Sequence, residues 1–164
     1  MPSTYTPIAT YTAPSAQTSY TFSSIPSTYT DLVLVLSTAT DAGGDPVVQF
    51  NSDTGSNYSN TYLSGTGSAA NSNRTTSQSY ARTGYYGGGP SVVGKSTTVV
   101  SFQNYSNATT YKTFLSRANN ADAGTDAIVG LWRSTSAISS IKFFYTGANI
   151  VTGSTLTLYG IAAA

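Results

Sequence analysis

Enzymes need nucleophiles, bases, metal ligands or acid pairs, and this chain supplies few of them. It contains no His and no Cys. A Ser-His-Asp triad and a Cys nucleophile are therefore excluded. So are the conventional zinc, copper, haem and iron–sulfur sites. The 25 Ser and 27 Thr offer hydroxyls in abundance, but no imidazole to activate them. Gly89-Pro-Ser-Val-Val-Gly94-Lys95-Ser96 matches the phosphate-cradling pattern G-x-x-x-x-G-K-[ST]. That chemistry needs a buried strand before the loop and a helix after it. Here GYYGG precedes the motif and the strand-like TTVVSFQNY follows it, so a Gly-rich hairpin loop is the better reading. Two Asp-x-x-x-Asp loops put Asp41 with Asp45 and Asp122 with Asp126. Carboxylates on flexible loops suit calcium, although Asp beside Gly is also ordinary turn chemistry. A glycosidase-type acid pair is a weak prospect, because there is no Glu and all six Asp except Asp31 sit in turn-like contexts. No catalytic residue and no cofactor is assigned.

The elements that would position any site are β-strands. Glu is absent and Lys and Arg are few, so exposed helices are hard to write, whereas Thr, Tyr and Val favour a pleated surface. Short alternating runs punctuated by Gly, Asn, Asp and Pro predict strands over 8–12, 19–24, 31–38, 46–51, 75–85, 96–105, 111–118, 127–133, 138–145 and 154–161. Residues 58–63 read either as a short strand or as a helical turn. In Leu32–Leu36 both faces of the strand are apolar, so both are expected to be covered. The expectation is an all-β, antiparallel two-sheet sandwich of jelly-roll type with about ten strands. Residues 1–18, with three prolines and no charge, are expected to form an extended N-terminal arm, and residues 19–164 a single sandwich domain.

Composition narrows the partners. A net charge of +1 gives no basic patch of the kind nucleic acid requires. The longest aliphatic run, Leu32–Leu36, is far short of a membrane span. The N-terminal residues lack the basic and apolar regions of a secretory signal, so the chain is expected to be made and kept in a cytoplasm, or delivered from it by something other than a signal peptide. Thirteen charges over the ~7,700 Å² expected for this mass is about one per ~600 Å². A surface so sparse in charge and so rich in hydroxyls and tyrosine suits a protein packed against neighbours. Of the 13 tyrosines, Tyr20, Tyr145 and Tyr159 lie on strand patterns, while Tyr58, Tyr62, Tyr85 and Tyr86 fall in polar stretches.

Five stretches carry a resemblance. They are YTPIATYTAPSAQTSYTFSSIPSTYTDLVLVLS at Tyr5–Ser37, VVQFNSDTGSNYSNTYLSG at Val47–Gly65, KTFLSRANN at Lys112–Asn120, IVGLWRSTSAISSIKFF at Ile128–Phe144 and GSTLTLYGI at Gly153–Ile161. Over about two-thirds of its length the chain resembles small jelly-roll structural proteins of tailed bacteriophages, frequent in cyanophages. The resemblance implies a non-enzymatic virion protein: a capsid cement or decoration protein, or a domain of a fibre. A lone sandwich with a short arm fits the cement role better. It would sit on the outer capsid surface, bound to the major capsid protein and to its own copies as a homotrimer. Tyr5, Ile8 and Tyr11 are the expected arm contacts, with Tyr85 and Tyr86 a second patch. The alternative is a glycan-binding receptor module of a tail fibre or spike, with Tyr58, Tyr62, Tyr85, Tyr86 and Trp132 facing the sugar.

Overall fold

The computed structural model describes residues 4–86 and 96–162. They form twelve strands: β1 (Tyr5–Thr12), β2 (Ser19–Phe22), β3 (Asp31–Thr38), β4 (Pro46–Phe50), β5 (Tyr58–Gly65), β6 (Ala70–Gln78), β7 (Ala81–Arg82), β8 (Ser96–Phe102), β9 (Lys112–Asn120), β10 (Gly124–Trp132), β11 (Ile141–Tyr145) and β12 (Thr155–Ile161). Every pairing is antiparallel, in an eight-stranded sheet β1-β12-β3-β8-β9-β10-β5-β6 and a four-stranded sheet β2-β11-β4-β7.

Two hairpins, β5–β6 and β9–β10, account for the unequal sheets. Setting them aside leaves eight strands, whose chain-order positions in the two sheets run 1-8-3-6 and 2-7-4-5. The two-sheet antiparallel sandwich is as expected, and that interleaving is compatible with a jelly roll. The hairpins then join side by side through β10 and β5 and prolong the larger sheet beyond β8.

The core forms between the two sheets from alternate residues. Leu32, Leu34 and Leu36 of β3, Val100 and Phe102 of β8, and Leu156 and Leu158 of β12 face Val48 and Phe50 of β4, Ile141 and Phe143 of β11, and Phe22 of β2. Phe50 gathers the aromatic end, with ring centroids 5.6 Å from Phe102, 6.1 Å from Phe114 and 5.5 Å from Trp132. Close approach explains two strand glycines. A Cβ at Gly130 would lie 2.1 Å from the Phe114 ring, and one at Gly160 would lie 2.3 Å from the Tyr29 ring. Each glycine is the floor on which an aromatic ring rests.

Several expectations change. The supposed arm is, from Tyr5 to Thr12, an edge strand paired along β12. It is held further by Ala13 N–H to Ser154 O (2.9 Å) and by reciprocal Gln17–Ile150 backbone bonds (2.9 and 2.7 Å). Unpaired amides beside an open sheet edge gain more from pairing than from standing free. Removing residues 2–14 would therefore take out a strand of the sandwich rather than trim an arm. The single polar strand expected over 75–85 is two strands in different sheets, β6 and β7. Residues 58–63 lie in a full strand, β5. Val33 and Val35 are only half-buried, because among the described residues no layer covers the outer face of β3.

Candidate interaction surfaces

The register of the larger sheet aligns its outward-facing residues into two adjacent rows. One runs Thr10, Thr157, Val35, Val99, Arg117, Ala127, Leu63, Ser72 across all eight strands. The next runs Pro7, Tyr159, Val33, Ser101, Leu115, Val129, Thr61, Arg74. Their aliphatic members concentrate on β8, β9, β10 and β5. Leu63 is 63% exposed, Leu115 56%, Val129 44% and Val99 39%. Between Thr61, Leu63, Leu115, Arg117, Ala127 and Val129 lies a shallow groove of about 380 Å³. The only charges on the two rows are Arg117 and Arg74. An exposed aliphatic strip on a sheet face is a candidate interaction surface.

The opposite side of these strands is closed by the segment around β7. The carboxylate of Asp126, itself 3% exposed, accepts the backbone N–H of Tyr85 (2.7 Å) and of Tyr86 (3.2 Å). Ser116 Oγ donates to Thr83 O at 2.5 Å, and Asn60 Nδ2 to Arg82 O at 3.1 Å. Hydrogen bonds from inward polar side chains to backbone thus dock this segment over β9, β10 and β5. Its aromatic rings fall in sequence, Tyr62 to Tyr85 at 5.0 Å and Tyr85 to Tyr86 at 4.6 Å. The Arg82 guanidinium sits 6.0 Å from the Tyr85 ring and is paired to Asp45 at 2.7 Å. Burial works against the Arg82 charge, but the hydrogen bond and charge of Asp45 outweigh it and hold the pKa above the ordinary value. The neighbouring phenols Tyr62 and Tyr86 push that of Tyr85 upward.

The expected contact residues are scattered. Tyr85 is half-buried and Tyr86 is exposed, with their rings edge-on 4.6 Å apart. Tyr5 is 55% exposed and packs edge-on against Tyr159 at 6.2 Å. Ile8, in contrast, packs against the core at the bulge between Pro7 and Ala9. Tyr11 stacks on Tyr20 with centroids 3.9 Å apart, joining β1 to β2 rather than reaching outward.

The expected sugar platform does not assemble. Tyr58 is 0% exposed, Trp132 2% and Tyr62 8%. The Tyr58 hydroxyl accepts the Phe50 N–H (3.0 Å) and donates to Asp53 O (3.0 Å), and burial pushes its pKa to about 12. Trp132 Nε1 donates to Asp53 at 2.6 Å. Burial alone would raise the Asp53 carboxyl, but the bonds from Trp132, Asn57 and Gly55 win and hold it below the usual range.

Three of the four calcium candidates are engaged elsewhere. Asp41 accepts from both the backbone and side chain of Asn149, which lower its pKa. Asp45 pairs with Arg82, Asp126 caps the Tyr85–Tyr86 backbone, and Asp122 follows Asn120 in the β9–β10 turn. Among the described residues no three acidic side chains converge. The phosphate-loop motif lies, up to Lys95, outside the described residues. The hydroxyls do include one in a Ser-x-x-Lys spacing, Ser139-x-x-Lys142. The chain there is extended rather than helical. Ser139 Oγ donates to Asn51 Oδ1 at 3.1 Å, while Lys142 Nζ lies 5.2 Å from the Phe144 ring centre, so the two groups serve different contacts.

In comparisons with known proteins, no family model, no curated protein and no solved structure matches the chain.

Proposed function

We propose that this chain is a non-enzymatic structural protein of a bacteriophage virion, a cement protein that binds the outer capsid surface and stabilises the shell. The observation that carries the reading is the pair of outward rows on the larger sheet. There Leu63, Leu115, Val129 and Val99 stand exposed on a rigid, doubly paired scaffold. Full burial of such side chains is worth about 1.5–3 kcal/mol each. The strip offers arginines and no acid, so it fits a capsid surface that is apolar and carries carboxylates. The resemblance of the five stretches to phage jelly-roll proteins supports the same reading, as does the sparse charge of the whole chain. Fold alone does not choose a function, and the jelly roll serves here as an analogy. Binding only to assembled subunits would stabilise the shell by mass action.

The test is co-sedimentation of purified protein with capsids that lack it and, separately, with host cells, at low and high salt. Saturable capsid binding is expected. It should be weakened little by salt, because apolar contact dominates, and lost in the double variant Leu115→Ser/Val129→Ser. Binding to cells and not to capsids would overturn the reading in favour of receptor recognition.

A further inference from the structure

Among the described residues the two sheets have four edges, and three are blunted in the ways β proteins commonly use. β1 carries Pro7 and a bulge between Pro7 and Ala9. β2 is four residues long and β7 only two. The fourth edge, β6, has nine residues, no proline and a single charge, Arg74, and most of its residues are exposed. Its pairing with β5 runs without interruption from Ala70 opposite Gly65 to Thr75 opposite Asn60. Irregularity begins only towards its end, where Ser77 has φ 55° and the register shifts between Tyr58 and Asn60.

We infer that β6 is a pairing edge and that its occupant is the β6 strand of a second copy of this chain, related by a two-fold axis at Asn73. Antiparallel pairing about an axis perpendicular to the sheet sets residues of equal parity opposite one another. Centred on Asn73, it uses the stretch 70–76 that precedes Ser77. Asn73 meets its own copy, Asn71 meets Thr75, and Arg74 meets Ser72 of the other chain. No like charges face each other in this register, whereas an axis at Arg74 would oppose two arginines. The side chains of Asn71, Ser72, Asn73, Thr75 and Thr76 all both donate and accept hydrogen bonds, so the strand is complementary to itself. An apolar partner strand would find no apolar counterpart on it. The Arg74 N–H is now taken by Asn73 Oδ1 at 2.7 Å, a local bond on an exposed strand that a paired backbone would replace. The larger sheet then continues from one copy into the next. The aliphatic strips of both copies lie on the same side of the joined sheet, because a perpendicular axis keeps outer face with outer face.

The experiment is sedimentation equilibrium of the full chain over a concentration series, with Asn73→Lys and Asn73→Asp measured singly and mixed in equal amounts. The wild type should approach twice the 17.0 kDa chain mass as concentration rises. Each variant alone should stay at the single-chain mass, since two lysines or two aspartates then face each other at the axis. The mixture should recover the doubled mass through a Lys–Asp pair. Asn73 is exposed, and far-UV circular dichroism should show all three proteins equally folded. A wild type that remains monomeric or forms a trimer overturns the inference. So do variants that dimerise as well as the wild type, or a mixture that fails to recover. The readout does not involve capsids and so stands or falls apart from the cement reading.

Discussion

The larger sheet holds two halves built on different terms. In the half formed by β1, β12, β3 and β8, the inner face is Leu32, Leu34, Leu36, Val100, Phe102, Leu156 and Leu158, covered by the apolar face of the smaller sheet. In the half formed by β9, β10, β5 and β6, the inner face beyond Phe114 and Trp132 is mixed: Ser116, Asp126, Asn60 and Ser64 are buried beside Ala118, Ile128 and Tyr62. There the cover is a segment of chain tied down by its own backbone groups, at Thr83 O, Arg82 O and the Tyr85 and Tyr86 amides. Apolar burial tolerates small shifts, whereas a hydrogen-bonded cover demands its partners. The jelly-roll half thus supplies most of the cohesion, and the hairpin half supplies a shaped surface and a free edge.

The sharpest way to break this contrast is at the seam. Phe114 packs on Phe50 and Phe102 and spans Gly130. Phe114→Ala should cost about 3–5 kcal/mol of stability, read by denaturant unfolding. A loss under 1 kcal/mol would mean that the hairpins are not coupled to the core there. Asp126→Ala leaves the Tyr85 and Tyr86 amides without their acceptor and should cost about 1–3 kcal/mol. Hydrogen exchange should then rise over 83–86 while β3 and β12 remain protected; uniform loss would erase the distinction between the halves.

A pH titration probes the buried phenols. The Tyr58 phenol, raised to about 12, keeps its proton in the native state above the ordinary value of 10.0. Because the folded pKa is the higher, this contribution is complete below pH 10 and is lost as pH rises through about 12. Tyr105 and Tyr145 shift in the same direction through burial. Absorbance at the phenolate band should show these rings ionising only together with unfolding. Smallest of all is the expected effect of Leu115→Ser. Its side chain points outward, and stability should change by no more than about 0.5 kcal/mol in a thermal melt. A larger loss would mean that the strip is structural.

Legibility followed the local signal. β3 emerged at its full length from Asp31 to Thr38, because leucines alternate with valines in a run that ends at Ser37 and Thr38. β4 and β12 were nearly as plain, each with apolar residues two apart, and β11 was read three residues too long at its start. β6 was displaced because ANSNRTTSQ has no apolar residue beyond its first alanine; only its pairing to β5 makes it a strand. One reading set Tyr58 and Trp132 against a sugar, Tyr58 because its stretch is polar, although Trp132 alternates with Ile128 and Gly130 as a core residue does. Asp53 is the reason they do not face one, since it binds the indole directly and accepts the phenol on its backbone carbonyl. The outward rows could not be seen at all in one dimension. Leu63, Leu115, Val129 and Val99 are far apart in the chain, and only the register of four strands sets them side by side.

The interleaved strand order also carries a consequence in time. β1 pairs with β12, and β2 with β11, so the first elements of the chain meet partners more than a hundred residues away. Closing such long loops costs entropy before any contact repays it, and folding dominated by distant pairings is slow. The hairpins β5–β6 and β9–β10 need only their neighbours and can form while the rest of the chain is still emerging. The strands that carry the outward strip would then gather early, and the sandwich beneath them would close only when β12 arrives to fill the gap between β1 and β3.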